Sequence, residues 1–351
     1  MRKSEPVDSD IIFSKNDSPV FIIAEAGVNH NGSLKQALRL VEAAKAAGAD
    51  AVKFQLFNVD EQISKGTNVA EYQHSATGFN NMKEMATSYD LSWDSHKTIK
   101  EHCNRCGIQY LSSCFDRQAV DYYLSIGGGC IKIASGEITN YPLLEYCAVK
   151  QVPIILSVGM ASIDEVREAV KILAHGNLAR LALMHCVSEY PVPVEQVNLK
   201  MLTTLSNKFL LPVGFSDHCL STIPALGAVA MGARLVEKHF TTDKSLEGPD
   251  HKMSLDPKEL TQYILDIRSL EKSLGSGQKI HSEKEKAIGA VARRSVVSKC
   301  KIPSNSVIIH EHLTLKRPGT GIHPRFLSQI VGRKTLEEIP SDVLIDWSML
   351  A

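Results

Sequence analysis

Eight times between residues 20 and 275 a short apolar segment is followed by a stretch with helical periodicity, and this repetition limits the fold more than any other feature of the chain. The apolar segments predict strands over Val20–Glu25, Ala51–Gln55, Gln109–Ser113, Cys130–Ile133, Pro153–Ser157, Leu181–His185, Pro212–Ser216 and Arg234–His239, with helical patterns such as Leu34–Ala47 and Ile163–Ala174 between them. Parallel strands need such crossovers. Eight units in this length predict an α/β fold of the (β/α)8 TIM-barrel type. A doubly wound sheet more often has fewer strands and a glycine-rich dinucleotide turn, and no GxGxxG follows the first strand.

The segments flanking the repeat read differently. Residues 1–19 are polar and carry Asn16-Asp17-Ser18-Pro19 between apolar runs, which predicts a hairpin closing the bottom of the barrel. Residues 276–293, rich in Ser, Gly, Lys and Glu, read as a linker. Residues 294–351 hold β-like pieces (Ser295–Ser298, Val307–Ile309, Leu344–Asp346) broken by prolines and glycines, the pattern of a small β-rich domain that buries too little surface to stand alone.

Lys plus Arg and Asp plus Glu number 39 each, so the molecule has no overall field to recruit nucleic acid or anionic lipid, and any attraction for an anionic substrate is local. No apolar run reaches membrane-spanning length and the N-terminus lacks a signal-peptide core, which makes the cytoplasm the expected compartment. Eight scattered cysteines read as reduced thiols, Cys103 and Cys106 among them as incidental helix cysteines despite their CxxC spacing.

The carboxyl ends of barrel strands form the active-site face, and here all eight ends are polar. In order they present Glu25, Lys53 with Gln55, Ser112 with Ser113, Lys132 followed by Ser135 and Glu137, Ser157, His185 with Tyr190 beyond, Ser216-Asp217-His218 and Glu237-Lys238-His239. So many charges buried without a ligand would be costly. Lys53 and Lys132, with the hydroxyls of Ser113, Ser135, Ser157 and Ser216, are suited to the phosphate and carboxylate of a small acid. His218 and His239, at the ends of adjacent strands, can offer two imidazoles to one divalent cation and leave positions open for water and substrate. Glu25, Glu137 and Asp217 are carboxylates able to orient water, move protons or bind sugar hydroxyls, although a salt bridge to a neighbouring lysine would equally account for Asp217.

These residues fall in ordered motifs, Ile23-Ala-Glu25-Ala-Gly-Val-Asn29-His30-Asn31-Gly32, Val52-Lys53-Phe54-Gln55, Lys132-Ile-Ala-Ser135-Gly-Glu137, Ile155-Leu-Ser157-Val-Gly159-Met160, Gly214-Phe-Ser216-Asp217-His218, Glu237-Lys-His239-Phe-Thr241, Gly248-Pro-Asp250-His251 and Lys316-Arg317-Pro-Gly319. With them the chain resembles the bacterial sialic acid (N-acetylneuraminate) synthase family over nearly its whole length. The resemblance implies condensation of phosphoenolpyruvate with an N-acetylmannosamine-type sugar, with N-acetylneuraminate synthase as the first expectation. Legionaminic acid synthase, acting on 2,4-diacetamido-2,4,6-trideoxymannose, is the alternative, since Glu247-Gly-Pro-Asp250-His251-Lys and Arg317-Pro-Gly-Thr-Gly321 look like that subgroup. A non-catalytic polysaccharide or coat protein on the same scaffold is the rival from another class.

The resemblance further implies Mn2+, or Mg2+ or Co2+, on His218 and His239, and the enolpyruvate on Lys53, Lys132, Ser113, Ser135, Ser157 and Ser216. Sugar contacts fall on Gln55, Glu137, Tyr190 and Asp250, and proton transfer or water orientation on Glu25 and Asp217. It implies that residues 294–351 form an antifreeze-like (SAF) module that crosses to the partner in a domain-swapped homodimer, so that Arg317 enters the neighbour's site. Two departures stand out. Ser188 occupies the place of a frequent asparagine, and Ser112-Ser113-Cys114 replaces Ser-Thr-Pro while keeping the hydroxyl at 113.

Overall fold

The computed structural model describes residues 18–351, so the hairpin expected over residues 1–19 lies almost wholly outside the described residues. Eight strands, β1 (Phe21–Gly27), β2 (Ala51–Leu56), β3 (Gln109–Cys114), β4 (Ile131–Ile133), β5 (Ile154–Ser157), β6 (Leu181–His185), β7 (Val213–Asp217) and β8 (Leu235–His239), run parallel in sequence order and close on themselves. Pairing of β8 with β1, Phe21 opposite Leu235 through Glu25 opposite His239, completes the barrel. The eight strands stand where the apolar segments predicted them, within two residues at either end.

The helices of this unit are α1 (Leu34–Ala47), α2 (Val59–Gln62), α3 (Glu71–Thr77), α4 (Met82–Ser88), α5 (Trp93–Cys106), α6 (Arg117–Ser125), α7 (Tyr141–Ala148), α8 (Ile163–Asn177), α9 (Lys200–Phe209), α10 (Ile223–Ala230) and α11 (Pro257–Leu274). Side chains alternate across each strand, and the closed sheet therefore has two linings. Outward residues such as Ile22, Val52, Leu183 and Val236 pack with the helices in one large core. Inward residues Phe21, Ile23, Ala51, Leu111, Ile155, Ala182, Met184 and Leu235 form a separate apolar plug. The next inward positions along the same strands are Glu25, Lys53, Ser113, Ser157 and Glu237, joined by Ser216 of β7, so a dry floor underlies a polar layer.

A second unit comprises Ser276–Ala351. The stretch read as a linker carries a ten-residue helix, α12 (Glu283–Ala292), started by a capping box in which Ser282 and Glu285 satisfy each other's backbone N–H. Its only regular sheet pairs β9 (Ser295–Ser298) antiparallel with β10 (Leu313–Lys316). Val307 and Leu344, read as parts of strands, make isolated bridges to Lys334 and Val297 instead. Nine buried residues, including Val296, Ile308, Ile322, Ile339 and Ile345, make its core, which also takes in the short helix α13 (Leu327–Ile330).

Candidate active site

The polar layer is organised around Glu237. Its Oε2 stands 3.6 Å from Lys53 Nζ and 3.5 Å from Lys132 Nζ, while its Oε1 accepts a 3.0 Å hydrogen bond from Ser216 Oγ. Lys53 also approaches Glu25 Oε2 at 2.7 Å and donates to Ser113 Oγ at 3.1 Å. All four charged groups are 2–4% exposed. Burial would raise the Glu237 carboxyl, but Lys132 and Lys53 together draw it below its ordinary value. Glu25 moves the other way, because burial outweighs the pull of Lys53. Burial would lower Lys53, yet Glu237 and Glu25 hold it above the usual lysine value, whereas Lys132, with a weaker claim on Glu237, is lowered by its burial. Two ammonium groups thus share the Glu237 carboxylate at distances longer than the 2.7 Å pair of Lys53 with Glu25, an arrangement an incoming polyanion can displace.

His218 and His239 adjoin this cluster, with ring centroids 5.8 Å apart. His218 donates its Nδ1–H to the Val187 carbonyl at 2.7 Å, which fixes the tautomer that leaves the Nε2 lone pair free; Ser216 Oγ lies 3.3 Å from that nitrogen. His239 Nδ1 is buried without a hydrogen bond, and the nearest carboxylate oxygen, Asp250 Oδ2, is 3.8 Å away. Burial keeps both rings neutral, pushing His218 down to about 4 and His239 well below its ordinary value. Neutral imidazoles with an available lone pair fit a divalent cation. Among the described residues no cluster of three or more His, Cys, Asp or Glu side chains forms a complete cage, so a cation on this pair would take its other ligands from water or substrate.

The loops after β1 and β8 hold Asp250 in place. Asn29 Nδ2 donates to the Phe240 carbonyl and to Ser254 Oγ, Asn31 Nδ2 donates to the Glu247 carbonyl, and the His251 ring bridges Thr241 Oγ1 and Asn31 Oδ1. Asp250, raised to about 6 by burial, faces the spot where Gly27 leaves out a side chain. A Cβ there would sit 3.5 Å from Glu25 Oε1, His239 Cε1 and Asp250 Oδ2 alike.

The remaining predicted residues divide. Gln55 donates weakly to Glu25 Oε1 at 3.5 Å and shares a cavity with His239, Asp250 and Tyr190, whose ring lies 4.2 Å from that of His218. Ser135 and Ser188 stand 3.4 Å apart at the ends of β4 and β6, and Ser157 is buried at the end of β5. Glu137, half-buried, accepts from Asn140 Nδ2 in the turn after β4. Arg317 is exposed on the second unit, just after β10.

Asp217 departs from the expectation that it would help at the cation. It points outward from β7, where Lys238 Nζ at 3.1 Å, Tyr263 Oη at 3.0 Å and the Cys219 N–H at 2.9 Å occupy its oxygens. The residue that takes an inward carboxylate position is Glu237, which the strand-end reading noted but gave no role. Counting in twos back from His239 signals it, as does counting one past the inward Ser216 for Asp217. Also missed were the cavity residues supplied by α3, α4 and the residue that ends α4, among them Tyr72, Met82, Met85 and Tyr89.

Residues 40–279 match the model of the NeuB family, and residues 279–351 that of the SAF domain. The chain is 45% identical over 332 residues to the N,N'-diacetyllegionaminic acid synthase of Legionella pneumophila, covering 93% of each chain. It is 41% identical over 327 residues to the protein of that name from Campylobacter jejuni, covering 92% of this chain and 98% of the other. Among solved structures, the N-acetylneuraminic acid (sialic acid) synthetase of Leptospira borgpetersenii, determined with citrate, superposes with a TM-score of 0.70 at 34% identity, over 78% of this chain and 91% of that one. A polar-layered barrel, two neutral histidines at its mouth and these full-length similarities lead to one assignment: the chain belongs to the NeuB family.

Proposed function

We propose that the protein condenses phosphoenolpyruvate with an N-acylated mannosamine-type aldose and water, releasing a nonulosonic acid and phosphate. The observation that carries this reading is the Lys53–Glu237–Lys132 cluster beside two neutral imidazoles, an anion cradle next to a Lewis-acid seat. The acceptor proposed is 2,4-diacetamido-2,4,6-trideoxymannose, supported by the 45% and 41% identities to legionaminic acid synthases against 34% to the neuraminic acid synthetase. This ordering reverses the first expectation from sequence, which favoured N-acetylmannosamine.

His218 and His239 would hold the divalent cation, Mn2+ before Mg2+ or Co2+, which supplies polarisation of the acceptor's aldehyde oxygen. Lys53 and Lys132 turn from Glu237 to the phosphate and carboxylate of phosphoenolpyruvate, assisted by the hydroxyls of Ser113, Ser135, Ser157, Ser188 and Ser216. The enol methylene carbon attacks the aldehyde carbon, forming the new carbon–carbon bond. Water adds to the cationic enol carbon and gives up a proton, which Glu25 accepts and passes to the alkoxide left on the former aldehyde oxygen. Collapse of the tetrahedral carbon passes its hydroxyl proton to the phosphate as the bond to the phosphate oxygen breaks, and Lys53 and Lys132 stabilise the departing dianion. Gln55, Glu137, Tyr190 and Asp250 bind the sugar, and Arg317 from the partner of a domain-swapped homodimer completes its acyl end in the cytoplasmic enzyme.

Phosphate release from phosphoenolpyruvate, with and without the diacetamido sugar and with and without chelator, tests the reading. It requires release that depends on the sugar, stops on chelation and is lost in His218→Ala. Release without any aldose, or none with it, rejects the proposal.

A further inference from the structure

The cavity that contains Gln55, His239, Asp250 and Tyr190 has a second, largely apolar end built by the segment between β2 and α5 together with Phe115 just after β3. Helix α4 starts at an Asn81 cap and has only seven residues, too few to be stable alone. Its Met82, Met85 and Ala86, with Tyr89 just past its end, follow the i, i+3, i+4, i+7 spacing of a single face, and all four line the cavity. Met85, Phe57 and Ile63 are buried, yet none belongs to the cores of the barrel or of the second unit. Phe57 meets Phe115 edge to face at 5.9 Å beside them. The face of α4 is therefore turned to a space continuous with the reacting end of the site.

We infer that this wall of Met82, Met85, Phe57 and Phe115 is a specificity subsite for the far end of the acceptor sugar, and that it selects a methyl terminus over a hydroxymethyl one. The inference rests on the function proposed above. An open-chain acceptor whose carbonyl carbon lies at His218 and His239 keeps its C2 acylamido group next to them and extends its sixth carbon furthest along the cavity. A methyl group there exchanges water for thioether and aromatic surface, whereas a hydroxyl against Met82, Met85, Phe57 and Phe115 gives up its water and can regain a partner only by turning to the polar rim of Gln62, Gln73 and Tyr89. Tyr72, whose ring lies 5.4 Å from that of Tyr190, closes the polar side of the same cavity and leaves the apolar side to α4.

The test compares two aldoses that differ in one oxygen atom, N-acetylmannosamine and its 6-deoxy analogue, by kcat/KM for phosphate release with the full-length protein and Mn2+. The 6-deoxy sugar is expected to be favoured by ~10-fold or more, within the range a hydrophobic pocket achieves against an added hydroxyl. Met85→Gln is expected to bring the ratio close to unity, and Met82→Gln, at a half-exposed position, does the same if the first variant folds poorly. Equal kcat/KM for the two sugars, or a preference that survives both variants, overturns the subsite while leaving the synthase reading intact. Absence of phosphate release with these sugars and with the diacetamido sugar removes the synthase reading, and the subsite with it.

Discussion

At the scale of single residues, Asp217 and Glu237 are both buried carboxylates near lysines, and one turn of the pleat separates a structural role from a chemical one. Asp217→Asn leaves the Lys238 charge buried with the Cys219 carbonyl but no counter-charge, which predicts a loss of ~3–5 kcal/mol in stability. Urea denaturation should show that loss, while the folded fraction keeps kcat within several-fold of the parent enzyme. For Glu237→Gln the expected change is in pH dependence. Glu237 raises the affinity of Lys53 and Lys132 for their protons, so its removal lets both deprotonate at lower pH. The alkaline limb of kcat/KM for phosphoenolpyruvate then moves down in pH, and an unmoved limb would show that Glu237 does not govern the lysines. The residue types of the site were legible in the chain because eight polar strand ends are costly unless something binds them. Their direction was not, since Ser216-Asp217-His218 and Glu237-Lys238-His239 read as polar strings until the inward phase of each strand is set by its partners.

Whole elements differ in how openly they announce themselves. The barrel strands, covered on both faces, are continuous apolar runs, and nothing else in the chain competes with that signal. Helix α12 was announced by Ser282 and Glu285, but its Lys-rich and Glu-rich composition reads as a solvated connector. Helices α2, α3 and α4 have four, seven and seven residues, shorter than any periodicity can establish, and β10 has four. The loops after β1 and β8 act as one element through Asn31, Thr241 and His251. A Cβ on Gly248 would stand 2.7 Å from His251 Cδ2 and 3.1 Å from Asn31 Oδ1, on a ring already held by two hydrogen bonds. Gly248→Ala should therefore shift Asp250 and raise KM for the acceptor by ~10-fold or more while KM for phosphoenolpyruvate changes less, a split that steady-state kinetics will reveal.

For the molecule as a whole, burial holds His30 and His96 neutral, pushed down to about 3 and about 4 from an ordinary 6.5. The unfolded chain takes up protons at these residues below pH 6.5 that the native state refuses, so their contribution to stability is complete above that pH and is lost as the pH falls toward 4. Each adds a slope of at most about 1.4 kcal/mol per pH unit. Urea midpoints measured from pH 7 to pH 4.5 should fall accordingly, and less steeply in His96→Phe. The proposed swapped dimer makes its own prediction. Lys53→Ala and Arg317→Ala chains, each inactive alone, should recover about a quarter of full activity when co-expressed in equal amounts, because one site in each mixed dimer is intact. No recovery would place Arg317 in its own chain's site or in none. Two linings back to back on strands of three to seven residues also dictate which errors the gene can tolerate. Adding or deleting one codon within β8 would trade Glu237 for Lys238 on the inside and wet the seam beneath the helices, abolishing chemistry and cohesion in a single step, whereas the stretch joining β2 to α5 can change length without disturbing that phase.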